Sequence, residues 1–254
     1  MATTEIQSAQ GKSLARVSIQ DGFVWDAQDA YLFDIDGTIL RSRDRIHFNS
    51  FASSVRQVTG LEISLEGMVL HGGTDTAILR EAFAQAGIAV DAWESQNEAI
   101  LEAMRQTIET RRADLDMWRM PGIEETLRHL AERGALLGLA TGNLEMIGWT
   151  KVELVGLREW FRFGGFSDKF EVRSEMIRDA VFKAREIAGP NVSPCVVGDT
   201  PRDIEAARAN SLPVIAVATG NYGFDELAEM KPEVCTTSLA DLLAETNVRA
   251  AVQP

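Results

Sequence analysis

Ala30-Tyr31-Leu32-Phe33-Asp34-Ile35-Asp36-Gly37-Thr38 joins four apolar residues to two carboxylates one residue apart. The apolar run reads as a strand covered on both faces, the form a parallel sheet imposes. Three similar runs follow at Leu136–Ala140, 195–197 and Val214–Val217. Helical patterns lie between them. Residues 122–133 put Ile123, Leu127 and Leu130 on one face and stop at Gly134, a C-terminal glycine signal. Residues 174–188 and Pro201–Ala209 read the same way, the latter with proline in its first turn. Strands alternating with helices mean an α/β fold with a doubly wound parallel sheet.

One block does not alternate. From residue 42 to 118 only helical patterns occur, at 48–58, 76–86 and 92–112, so the segment reads as an all-helical insert between the first two sheet strands. Its linkers fall at 41–45 and 114–121. The expected organisation is a leader over 1–28, a core domain over 29–41 and 119–254, and a helical cap domain over 42–118. Phe23 and Trp25 suit packing of the leader's end on the core. The chain has no internal repeat or low-complexity tract.

Composition excludes several classes. With 254 residues and 45% hydrophobic content, the chain is long enough for a core domain plus an insert and too apolar for wholesale disorder. Two cysteines, Cys195 and Cys235, make no disulfide framework and no zinc cluster. No apolar run reaches the roughly 18 residues of a membrane span. The polar start (residues 1–22) lacks a secretory signal's apolar stretch, so the expected location is cytoplasmic. A net charge of −13 argues against nucleic acid as the main partner. The chain is expected to be a monomer or homodimer.

The chemistry concentrates where strands end, the place ligands occupy in doubly wound sheets. Asp34 and Asp36 follow the first strand, and two such carboxylates need a cation or a shared task. A strand-ending turn is the plainer reading of Asp, Gly and Thr there. Gly198-Asp199-Thr200-Pro201-Arg202-Asp203 puts a second acidic pair at a neighbouring strand end. Helix capping accounts for Asp203 and Thr200 better than for Asp199. Thr141-Gly142-Asn143 offers a hydroxyl and free backbone N–H groups at a third strand end, the donors a phosphate needs.

Together these residues resemble the haloacid dehalogenase-like hydrolase superfamily, whose motifs occur in the same order over residues 30–220. The segment from Pro121-Gly122 to Thr141-Gly142-Asn143 is similar to the phosphoglycolate-phosphatase-like branch, which carries a helical cap at the position of the insert. The resemblance implies Asp34 as nucleophile, forming an aspartyl-phosphate, and Asp36 as general acid and then base. It implies Mg2+ held by Asp34, the backbone carbonyl of Asp36, and Asp199, with Asp203 supporting the site. Thr141, with Gly142 and Asn143 beside it, would bind the phosphoryl group. The family's basic residue is usually lysine; here Arg173 stands at the matching place, with Lys169 as rival. In the cap, Leu70-His71-Gly72-Gly73-Thr74-Asp75 interrupts two helices. Gly73 and Thr74, or His71, are candidates for the organic half of the substrate; a helix cap at Thr74 or Asp75 is the alternative.

The implied function is Mg2+-dependent hydrolysis of a small phosphorylated metabolite, with phosphoglycolate the leading substrate. Alternatives are a sugar-phosphate mutase of the β-phosphoglucomutase kind, which shares the Asp34 and Asp36 chemistry, and a non-catalytic phosphoryl-binding module. Dehalogenases lack an acid at the place of Asp36, and residues 42–118 contain no lysine for the Schiff base of a phosphonoacetaldehyde hydrolase. His47 and His129 read as structural, and Glu94, Glu98, Glu102 and Glu109 as a solvated helix face.

Overall fold

The computed structural model describes residues 2–6 and 15–252. Two strands, β1 (Ala2–Ile6) and β2 (Ala15–Ile19), precede β3 (Ala30–Phe33). A short β4 (Leu40–Ser42) leads into three helices, α1 (Ile46–Thr59), α2 (Asp75–Gln85) and α3 (Val90–Thr110), and the chain returns through β5 (Met117–Arg119). Then follow α4 (Ile123–Glu132), β6 (Leu136–Ala140), α5 (Glu145–Leu154), β7 (Phe163–Gly165), α6 (Arg173–Ala188), β8 (Pro194–Gly198), α7 (Pro201–Ala209), β9 (Val214–Val217), α8 (Phe224–Glu229), β10 (Val234–Thr236) and α9 (Leu239–Val252).

The large sheet runs β1-β2-β10-β9-β8-β3-β6-β7, parallel from β10 to β7 and antiparallel at β2 and β1. β3 lies between β6 and β8, so the loops after these three strands open at one edge of the sheet. Alternation along β3 divides the core. Tyr31 and Phe33 pack on one face with Leu127 of α4 and Leu242 of α9; Ala30 and Leu32 pack on the other with Ile177 of α6 and Ile204 of α7. Each fully buried leucine, isoleucine or phenylalanine among them contributes about 1.5–3 kcal/mol. The sheet's rigidity is what fixes the loops at its edge.

The segment read from sequence as a leader instead supplies part of the sheet. β2 pairs with β10, Trp25 donates from Nε1 to Thr246 Oγ1 of α9 (2.8 Å), and Tyr31 Oη donates to the Trp25 carbonyl (2.6 Å). Residues 1 and 7–14 of that segment lie outside the described residues. Between β4 and β5 the chain is helical, and the two strands pair antiparallel, Leu40 opposite Arg119 and Ser42 opposite Met117. The linkers expected at 41–45 and 114–121 thus include a two-stranded ladder at the neck of the cap. Phe51 and Val55 of α1, Leu79 and Phe83 of α2, and Ile100, Met104 and Ile108 of α3 form the cap core, which continues onto Leu144 and Ile147 beside α5. The cap therefore packs directly on the core.

Candidate active site

The loop after β3 turns sharply because Gly37 has φ +94°, a left-handed conformation that costs glycine little. A β-carbon there would lie 2.3 Å from Asp199 Oδ2, so the glycine also admits the carboxylate from the loop after β8. Asp34 is fixed at its backbone by an N–H bond to the Val197 carbonyl (2.9 Å). Carboxylate oxygens of Asp34, Asp199 and Asp203 all lie within 4.8 Å of one another, and all three residues are buried.

Arg173, at the start of α6, is the cation that faces this group. Its Nη2 lies 3.0 Å from Asp34 Oδ1 and 2.6 Å from Asp203 Oδ1, and Nη1 donates to the Gly72 carbonyl of the cap (3.2 Å). Burial works against the Arg173 charge, but Asp203 and Asp34 outweigh it and raise the guanidinium's pKa. Lys169, the rival for this position, is exposed. Asp203 Oδ2 meanwhile accepts from the Thr200 N–H (3.0 Å) and hydroxyl (2.6 Å) in the capping box that opens α7. Asp203 thus caps α7 and pairs with Arg173 at once. Its oxygens are taken by Arg173 and Thr200, which leaves Asp34 and Asp199 freer to bind a ligand.

Three buried carboxylates beside one guanidinium leave an excess of negative charge. Burial, with Asp203 and Asp36 nearby, pushes the Asp34 carboxyl up to about 6 against the pull of Arg173. Burial and the charges of Asp34 and Asp203 push Asp199 up as well, with the Thr38 hydroxyl its hydrogen-bond donor (3.1 Å). A hard oxygen set with unbalanced charge suits a small divalent cation, so these residues fit a metal.

Asp36 sits apart from the cluster and faces a chamber of about 490 Å3 between core and cap. Its carboxylate accepts from Asn143 Nδ2 (2.8 Å) and from Lys151 Nζ (2.6 and 2.8 Å). The enclosing walls push this carboxyl up, but Lys151, then His47, outweigh them and hold it below the ordinary range. Lys151 also donates to Asn143 Oδ1 (2.7 Å) and meets His47 Nδ1 (3.1 Å). Asn143 donates to Thr141 Oγ1 as well (2.7 Å). Both side-chain bonds of Thr141 are accepted ones, leaving its hydroxyl proton for an acceptor in the chamber.

The sequence reading missed Lys151 and treated His47 as structural. Both line the chamber, and His47 also packs within the cap, with Nε2 on Asp75 Oδ2 (3.1 Å) and its ring against Phe51. The available signal was a lone charged residue in the largely apolar stretch Met146-Ile147-Gly148-Trp149-Thr150-Lys151-Val152. His129 does serve structure, stacked on Trp25 and 2.8 Å from Asp26. Of the two readings of Thr74, substrate contact or helix cap, the structure shows the cap: its oxygen accepts from the Ala77 N–H (3.2 Å) at the start of α2 and its hydroxyl donates to the Glu171 carbonyl (2.7 Å). Gly73, Gly142 and Asn143 line the chamber.

A family model described as haloacid dehalogenase-like hydrolase matches residues 31–217. A phosphoglycolate phosphatase of Mesorhizobium japonicum is 26% identical over 227 residues, spanning 87% of this chain and 96% of the relative. One of Agrobacterium fabrum is 31% identical over 122 residues, 48% of this chain and 52% of the relative. The solved structure of a predicted phosphoglycolate phosphatase from Haemophilus somnus superposes with a TM-score of 0.63 at 19% identity, covering 86% of this chain and 98% of that one, a likeness of fold. With its matching stretch carrying both acidic loops, Thr141 and Arg173, the chain belongs to the haloacid dehalogenase-like hydrolase family.

Proposed function

We propose that the protein is a magnesium-dependent phosphatase of small phosphorylated metabolites, working through a covalent phosphoryl group on Asp34. The observation that carries this reading is the shared position of Asp34, Asp199 and Arg173 at the floor of the chamber. Mg2+ held by Asp34 and Asp199, with the Asp36 backbone carbonyl and Asp203 in support, would offset the carboxylate charge and polarise the phosphoryl group.

In the first step an Asp34 oxygen attacks phosphorus and the P–O bond to the leaving group breaks. Asp36 gives its proton to the departing alkoxide. An arriving phosphate dianion beside Asp36 raises the carboxyl's affinity for that proton. In the second step Asp36 takes a proton from water, the oxygen attacks phosphorus, and the bond to Asp34 breaks to release inorganic phosphate. Arg173 and the Thr141 hydroxyl bind phosphoryl oxygens whose charge grows in the transition state.

A phosphate-release screen over phosphorylated metabolites, with and without Mg2+, tests this. The names of the relatives make phosphoglycolate the reference ester. The expected result is Mg2+-dependent release by the wild type and none by Asp34→Asn. Wild-type rates in Asp34→Asn would remove the nucleophile from this account.

A further inference from the structure

We propose that the leaving group this site accepts has an uncharged, largely apolar body, an aliphatic or aromatic alcohol, in preference to a carboxylate or a second phosphate. The inference rests on the phosphatase reading above and narrows its substrate class.

The chamber has two unlike ends. Asp34, Thr141, Arg173 and Asp199 form the phosphoryl end. The facing wall, built from the cap and its neck, presents Phe48, Phe51, Leu70, Ile78, Met117 and Trp118. Among the described residues of the cap and neck, Arg41 of β4 is the one lysine or arginine that lines the chamber. The charged groups the cap does bring are Asp44, Asp75 and, when protonated, His47 and His71. Asp44 accepts from the Ser42 hydroxyl (2.6 Å) and the N–H groups of Ile46 (2.9 Å) and Asp116 (2.8 Å). Asp75 is paired with His47 and accepts the Leu144 N–H (2.9 Å). His71 is engaged by Asn221.

The cations nearest the wall are otherwise occupied. Arg43 and Arg45 lie against the rings of Trp118 (4.9 Å) and Phe48 (4.2 Å) and do not line the chamber. Lys151 is held by Asp36 and Asn143. Arg41, opposite Trp118 in the neck ladder, donates to the Gly220 carbonyl (2.6 Å), so the guanidinium on the wall side is tied to the loop after β9. A glycolate carboxylate seated against the wall would lose water, meet aromatic and aliphatic carbon, and face the Asp44 carboxylate. An alkyl or benzyl group there loses only unfavourable contact with water. The chamber volume lies in the range that holds a drug-sized ligand, with room beyond a two-carbon acid.

The test compares kcat/KM of the purified full chain with Mg2+ for phosphoglycolate, pyrophosphate, benzyl phosphate and an n-alkyl phosphate series. The expected result is benzyl phosphate at least tenfold above phosphoglycolate and a rise of up to about fourfold per added methylene until the wall is covered. Phe48→Ser and Met117→Ser should each lower the benzyl-to-phosphoglycolate ratio. Phosphoglycolate or pyrophosphate turned over ahead of benzyl phosphate, or a flat alkyl series, would overturn the apolar assignment and leave the phosphatase reading standing. Failure to hydrolyse any ester in a broad panel would overturn both.

Discussion

Lys151 Nζ and Asp36 Oδ2 lie 2.6 Å apart, joining a buried lysine of α5 to the loop after β3 across 115 residues of chain. The pair reaches the cap through His47, which Asp75 holds from α2. One network therefore ties the proposed acid–base group to the seating of the cap. Lys151→Met should lower kcat/KM by about 100- to 1000-fold, the scale of losing one charge-stabilising donor. Without the ammonium, Asp36 loses its main downward pull and its pKa rises. The limb of the pH–rate profile that needs ionised Asp36 should move to higher pH. Lys151→Arg should recover part of the rate, and an unmoved limb in Lys151→Met would separate the lysine from Asp36 function.

Arg173 and Lys169 lie four residues apart in sequence and in different surroundings. Arg173 bridges Asp34 and Asp203, whereas Lys169 is exposed. Arg173→Ala leaves two buried carboxylates without their cation and should cut phosphate release by 100-fold or more. Lys169→Ala should stay within about twofold of wild type. Steady-state kinetics on the two purified variants ranks them, and the opposite order would return the role to Lys169.

How much of this arrangement the bare chain disclosed follows from how local each feature is. β3, β6 and β9 are short, apolar and bounded by turn residues, so their ends coincide with the expected ones. The meeting of Asp34 with Asp199 follows once both are placed after neighbouring parallel strands. α5 escaped notice because apolar residues surround it: Ile147 faces the cap core while Val152 faces the sheet. Its polar residues, Glu145, Thr150, Lys151 and Glu153, fall on several sides of the helix, so they leave no clean stripe to count. Lys151 was hidden with it, since its partners come from three distant segments. β7 and β10 span three residues each, too short for a periodic signal. β2 did carry alternation at Val17 and Ile19, but its pairing with β10 is a long-range choice.

The raised Asp34 pKa makes a signed claim about stability. In the metal-free fold its proton is held to about pH 6, whereas the ordinary value is 3.8. The folded state binds more protons between those values, so stability falls as pH rises through that window. A divalent cation that binds only the ionised cluster should reverse it. Thermal unfolding should show Mg2+ raising Tm by several degrees at pH 7.5 and little at pH 4.5. Asp34→Asn should raise the metal-free Tm at pH 7.5 and weaken the response to Mg2+. Equal Mg2+ effects at the two pH values would sever the ion from this carboxylate cluster.

Gly142 sets how closely the cap can approach. Its own carbonyl accepts the Asp75 N–H at 2.7 Å, and a β-carbon at this position would lie 2.0 Å from the Gly73 carbonyl oxygen. Both atoms in that clash are held by backbone, so neither can swing aside. Gly142→Ala must therefore lift the 72–75 loop away from the core while leaving β6 and its buried neighbours intact. That shift loosens the Arg173 bond to Gly72 and the His47 contact with Lys151 together. The variant should keep wild-type far-ultraviolet circular dichroism and lose 10-fold or more in kcat/KM. Amide exchange at the start of α2 should quicken as the Asp75 bond to Gly142 opens. A variant of unchanged activity and unchanged exchange would mean that the seated cap is not the working state.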